Sequence, residues 1–209
     1  VLLGVVIERV AYKPLRKASP LSVLITAIGV SYLLQNIALL MFGSTKRSFP
    51  PIITVPALKI GALTIKGESL VTLLVTMVIM IALTVFINKS KTGKAMRAVS
   101  EDKDAAELMG INVNRTISIT FAIGSALAAV AGIFYGATYI YVGPYTGSMP
   151  GIKAFVAAVF GGIGSIPGAM LGGILLGLIE NLAKAYISTE LSDAIVFAVL
   201  IVVLIVKPT

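Results

Sequence analysis

The chain has 209 residues, 57% of them hydrophobic and 12% charged, with a mean hydropathy of +1.01. A soluble domain carries about 25% charge to keep its surface wetted, so this composition excludes an ordinary water-covered globule and leaves lipid to cover much of the chain. The formal charge is +8, and Cys and His are both absent, which excludes a disulfide framework, thiol chemistry and the commonest general base and metal ligand.

Val1–Ile7 reads as the end of a membrane span, and the segment ERVAYKPLRKASP that follows sets Arg9, Lys13, Arg16 and Lys17 against one acid, Glu8. Lys and Arg concentrate in cytoplasmic loops, so this segment is expected inside; the same rule explains the net charge without nucleic acid. Residues 21–42 form the first complete span, with Ser31, Gln35 and Asn36 within it. Residues 43–69 are more polar and carry Pro50, Pro51 and Pro56. Within them ALKI and ALTIK flank Gly61 with rough apolar–polar alternation, which predicts a small β-hairpin outside the membrane.

The next span covers 70–87. The segment 88–115 carries Lys89, Lys91, Lys94, Arg97, Lys103 and Arg115 and is placed inside. Residues 116–140 form another span. Residues 151–163 are apolar but short, giving a short span or a re-entrant segment that protein must bury where it is not helical. The turn GSIPG leads into a span at about 167–186, and 192–206 is the last, putting Lys207 inside. The expected fold is all-α, a polytopic transmembrane helical bundle forming one domain over 1–209. Because the chain starts at Val1 within an apolar run, it is expected to lack N-terminal spans.

Small residues recur every four positions as Gly124, Ala128, Gly132 and Gly136, as Gly164, Gly168 and Gly172, and as Ala169, Gly173 and Gly177. That spacing holds one helical face, where small side chains let backbones approach in lipid. Packing seams are the plainer reading; faces that slide during transport are the other. Glu180 precedes Lys184 by four residues, the favourable order for a helical pair, and Lys153 is read as interfacial. Ser31, Gln35 and Asn36 are read either as pathway residues or as interhelical hydrogen-bonding groups. No span carries the chain of buried Asp, Glu or His expected of a proton relay, which argues against a proton-driven pump.

In GKAMRAVSEDKDAAELMGINV, residues 93–113, Ser100 is a good N-cap, Glu101 and Asp102 suit the positive end of a helix dipole, and Gly110 suits the C′ position. A short polar helix over 101–109 follows, with Ala105, Leu108 and Met109 on one face. Asp102, Lys103 and Glu107 are left to water or a partner.

Asp104-Ala105-Ala106 followed by Gly110 resembles the EAA-xxx-G motif of importer-type ABC permeases, with Asp104 where Glu is usual and without the Ile-x-Leu-Pro ending. More broadly, ERVAYKPLR (8–16), LITAIGVSYLLQN (24–36), RAVSEDKDAAELMGINV (97–113) and GIKAFVAAVFGGIGSIPGAMLGGILLGLIEN (151–181) resemble the branched-chain amino acid ABC transporter permeases of the shorter, LivH-type branch. The resemblance implies a multi-pass subunit of a bacterial or archaeal cytoplasmic membrane that helps form an import path. It implies that Glu101, Asp102, Asp104, Ala105, Ala106, Glu107 and Gly110 couple the chain to an ATPase. Implied partners are a second homologous permease, two cytoplasmic ATPase subunits and an extracytoplasmic substrate-binding protein. ATP and Mg²⁺ would belong to the ATPases, since Gly93-Lys94 is followed by Ala95 and no phosphate loop is present; no cofactor, metal or catalytic residue is expected in this chain. Permeases for urea, short amides or other amino acids, an ATP-independent transporter or channel, and a membrane scaffold are the alternatives.

Overall fold

Long apolar runs, with proline confined to first turns where a missing N–H costs nothing, form unbroken helices. The computed structural model describes residues 1–16, 18–50, 52, 55–56, 58–60 and 63–206; Lys17, Pro51, Gly61 and Lys207, on which the sequence reading drew, lie outside them. Among the described residues four helices are long and apolar enough to cross a membrane: α2 (Pro20–Phe42), α3 (Gly67–Lys89), α6 (Val113–Tyr139) and α8 (Ile166–Tyr186). Shorter helices are α1 (Leu2–Ile7), α4 (Lys91–Glu101), α5 (Lys103–Leu108), α7 (Ser148–Gly161) and α9 (Ser192–Val206). The chain is an all-α polytopic membrane protein.

Two compact units emerge: Val1–Met77 with Val85–Tyr145, and Val78–Thr84 with the chain from Thr146 onward. In the first, α1 does not give way to a loop after Ile7. It continues as a π-helical turn, Glu8–Tyr12, and a 3-10 turn, Lys13–Leu15, in which Pro14 takes an early position that needs no N–H donor. This helical run packs along α6. A Cβ at Gly4 would collide with Ser125, and the rings of Tyr12 and Phe121 lie 4.9 Å apart.

The expected hairpin forms from β2 (Leu58–Ile60) and β3 (Leu63–Ile65), antiparallel with Leu58 opposite Ile65. A second ribbon was not anticipated: β1 (Arg47–Ser48) pairs antiparallel with β4 (Tyr141–Val142), and Phe49 N–H donates to the Ile140 carbonyl at 2.5 Å. Two-residue strands offer too little alternation to be read from sequence. The ribbon joins the C-terminal ends of α2 and α6.

In the second unit α7 and α8 form an antiparallel hairpin. Gly161 lies against Gly168, Ala157 against Gly172, and Lys153 against Glu180, so the contacts run in opposite directions along the two helices. Val156, Ala157, Leu176 and Val196 form a core that Phe197 and Leu200 of α9 complete. At 1.5 Å per residue the 14 residues of α7 reach about 21 Å, short of a hydrocarbon core of about 30 Å.

Candidate functional site

The segment between α3 and α6 is an elbow of two helices rather than the single helix expected over 101–109. Ser90 caps α4, its hydroxyl accepting from Gly93 N–H at 2.9 Å. Ser100 is therefore inside α4, donating to the Arg97 carbonyl at 2.7 Å, and does not cap the second helix. Asp102 does. Its backbone is extended, and one carboxylate oxygen accepts from Asp104 N–H at 2.9 Å and Ala105 N–H at 3.1 Å. Aspartate competes well for these orphan donors, so the chain breaks at Asp102 and restarts as α5.

The stop signal at Gly110 is where the sequence puts it. Gly110 has φ +80°, its N–H donates to Glu107 O at 2.9 Å, and Ile111 N–H donates to Ala106 O at 3.0 Å. This paired closure of a helix end needs a left-handed residue, which glycine adopts without a Cβ penalty. Asn112 then caps α6 through Arg115 N–H at 3.0 Å.

The face assignment of this helix needs correction. Ala106, not Ala105, is turned inward, being 3% exposed, while Leu108 and Met109 are 89% and 83% exposed. Six helical residues cannot bury a broad face, and the close at Gly110 swings the last turn outward. Glu101, Asp102, Asp104, Ala105, Glu107 and Gly110 are exposed as well. The elbow thus offers an apolar tip, Leu108-Met109, with acids on the adjoining turn.

Beneath the start of α6 lies a polar node that the sequence reading missed. Glu8 has no exposed surface. One carboxylate oxygen accepts from Ser118 Oγ at 2.8 Å and the other from the Arg16 guanidinium, which also donates to Asn114. The node ties the π-turn of the first helical run to the first turns of α6. A lone acid among four cations was the available signal, but only the fold brings Ser118 and Asn114 to it.

The second unit has its own ion network. Lys153 Nζ lies 2.9 Å from Glu180 and 2.7 Å from Asp193, and Lys184 Nζ lies 2.5 Å from the same Glu180 oxygen. The Glu180–Lys184 pair read from spacing is present, Lys153 pairs with Glu180 as well, and Asp193 went unnoticed. These four residues come from the beginning of α7, the end of α8 and the first turn of α9, and close that end of the unit.

Ser31, Gln35 and Asn36 lie on α2 and bond along it. Gln35 donates to Ser31 Oγ at 3.2 Å and Asn36 to the Tyr32 carbonyl at 2.7 Å, both within α2. The glycine stripes divide sharply. Gly168 and Gly172 are a true seam, their Cβ positions blocked by backbone of α7, whereas Gly164 lies in the turn before α8 at φ +93° and not on its face. Gly173 approaches only the Ala157 methyl, at 3.9 Å, and a Cβ at Gly177 would meet nothing within 4 Å. Positions Gly124 and Gly132 are likewise open, Ala128 is exposed, and Gly136 holds the Phe49 ring. Among the described residues most of the α6 stripe is therefore not a seam. Among the described residues no cluster of three or more metal-ligating side chains forms.

The family described as the permease component of branched-chain amino acid transport systems matches residues 1–204. The high-affinity branched-chain amino acid transport system permease protein LivH of Salmonella typhimurium is 49% identical over 70% of this chain and 49% of its own length. BraD of Pseudomonas aeruginosa, a permease protein of the same description, is 43% identical over 68% of this chain and 47% of its own. A shorter likeness, 34% over 31% of this chain and 19% of the relative, links it to the fructose import permease protein FruG of Bifidobacterium longum. The chain spans about half the length of the LivH and BraD relatives it matches. No solved structure matches it.

Proposed function

This chain belongs to the family of branched-chain amino acid transport permease components, and from that premise we propose that it is the permease subunit of an ATP-driven importer for branched-chain amino acids in the cytoplasmic membrane. Its partners in this reading are a second homologous permease, two cytoplasmic ATPase subunits and a substrate-binding protein on the outer side. The substrate is taken from the relatives LivH and BraD, permease proteins of high-affinity branched-chain amino acid transport systems.

The observation that carries the reading is the elbow at 90–112. A polar two-helix segment between two long apolar helices exposes Leu108 and Met109 to the side that the basic loops assign to the cytoplasm. Burying such side chains against a partner contributes roughly 1.5–3 kcal/mol each, which suits an ATPase surface groove. A force on α5 passes to α6 through the closure at Gly110 and the cap at Asn112. From α6 it reaches the first helical run through Ser118, Glu8 and Arg16. Closure of the ATPases on ATP would then tilt α3 and α6 and switch access from outside to inside. The loop at 43–69, at the other end of α3 from the elbow, is the proposed contact for the binding protein. No bond is made or broken in this chain.

Gly110→Leu and Asp104→Lys test the coupling. Both are expected to lose ATPase subunits on purification while membrane insertion is retained; full association of both variants overturns the assignment. Uptake that persists without the ATPase subunits would replace the importer with a secondary transporter or channel. Competition of leucine and valine against urea and a short amide for uptake decides the substrate class, leucine and valine being the expected winners.

A further inference from the structure

A cavity of about 370 Å³ opens in the first unit between the first helical run, the start of α2, the elbow and α6. Its wall is divided by chemistry. Lys103 and Arg16 supply the cationic part, and Val23, Ile117, Phe121 and Tyr12 supply an apolar and aromatic part. The two cations differ in availability. The Arg16 guanidinium is engaged by Glu8 and Asn114. Lys103 forms no ion pair among the described residues, and it is exposed. The neighbouring carboxylate of Asp102 is turned to the N–H groups of Asp104 and Ala105.

Lys103, exposed and outside any ion pair among the described residues, thus lines a recess whose wall is otherwise largely apolar. The recess lies by the starts of α2 and α6, on the side that the Lys- and Arg-rich segments assign to the cytoplasm. A soluble anion has no use for the apolar wall, and an uncharged lipid has none for Lys103. A phospholipid with net negative charge matches both, and basic pockets between helices at the cytoplasmic surface suit such head groups. We propose that this cavity holds one anionic phospholipid of the inner leaflet, its phosphate at Lys103 and the start of an acyl chain against Ile117, Phe121 and Val23. The lipid sits between the elbow and the first helical run, so it is placed to fill the space across which α5 moves. The proposal goes beyond the transport reading and does not depend on the substrate.

Native mass spectrometry of the intact transporter, equilibrated with micelles of phosphatidylcholine and phosphatidylglycerol, tests it. Wild type is expected to retain phosphatidylglycerol in preference to phosphatidylcholine, and added inorganic phosphate is expected to leave it bound. Lys103→Gln should weaken retention about fivefold, the effect of one basic residue near an anionic head group, and Lys103→Arg should restore it. Ile117→Trp, which fills the recess, should abolish retention with Lys103 still present. Equal retention of both lipids by wild type, retention unchanged in Lys103→Gln, or release by inorganic phosphate would each overturn the proposal. Should Ile117→Trp fail to fold, the two Lys103 variants decide alone.

Discussion

Glu8 and Glu180 are both carboxylates held by basic side chains, yet Glu8 has no exposed surface while the Glu180 side chain keeps 18%. Around Glu8 the partners are an arginine side chain 16% exposed and a hydroxyl; around Glu180 they are two lysine side chains, 24% and 38% exposed. The chemistry is alike, but water reaches the carboxylate of one cluster and not that of the other. A buried charge that loses its partner keeps the desolvation cost without the compensating attraction, whereas a wet pair is replaced by hydration and screened by salt. The first unit is thus pinned by a polar node that tolerates no gap. In the second unit a glycine seam holds the α7–α8 hairpin, and the ion network adds to it at one end.

The largest effect is expected at Glu8. Glu8→Ala takes the carboxylate from a half-buried Arg16, leaving it Asn114, and should destabilise the chain by about 3 kcal/mol, the low end for breaking a buried ion pair, read as a lowered unfolding temperature of the purified complex. Replacing both partners, Glu8→Leu with Arg16→Leu, should cost less than the single change, because an apolar pair leaves no unpaired charge. A double variant worse than the single would break the comparison.

The seam comes next. Gly172→Leu forces a side chain into the Ala157 carbonyl and the Gly161 backbone, an overpacking that costs about 1–3 kcal/mol. Gly177→Leu on the same helix meets open space and should lower the unfolding temperature far less. Equal losses would remove the distinction between the two stripes. The smallest effect belongs to Lys184. Lys184→Gln leaves Lys153 on Glu180 and should change stability by roughly 0–1 kcal/mol, by less still in high salt.

Much of this architecture was legible because lipid imposes a strong rule. Helices that satisfy their own backbone must be long and apolar, and the runs at 21–42, 70–87, 116–140 and 167–186 carry that signal by themselves. Gly110 was legible for a similar reason: a polar helix ending in glycine has few other geometries. Ser100 misled because serine and aspartate are both good caps, and the competition between Ser100 and Asp102 is decided by which donors each can reach. The Glu8 node, the Lys153–Asp193 bond and the β1–β4 ribbon were not legible, since each joins residues distant in sequence. The small-residue stripes show the limit of spacing alone. Gly172 and Gly132 obey the same four-residue rule, yet one meets backbone and the other meets nothing within 4 Å.

The central claim is that the elbow carries the contact with the energy source, and its exposed tip gives the most direct measurement. Leu108 and Met109 touch little of their own chain, so Leu108→Asp with Met109→Asp should leave folding and insertion intact. Purified from membranes with its partners, the double variant is expected to lose most of its bound ATPase subunits and its substrate-stimulated ATP hydrolysis. Wild-type recovery of the ATPase subunits, with hydrolysis still stimulated by substrate, would contradict the account.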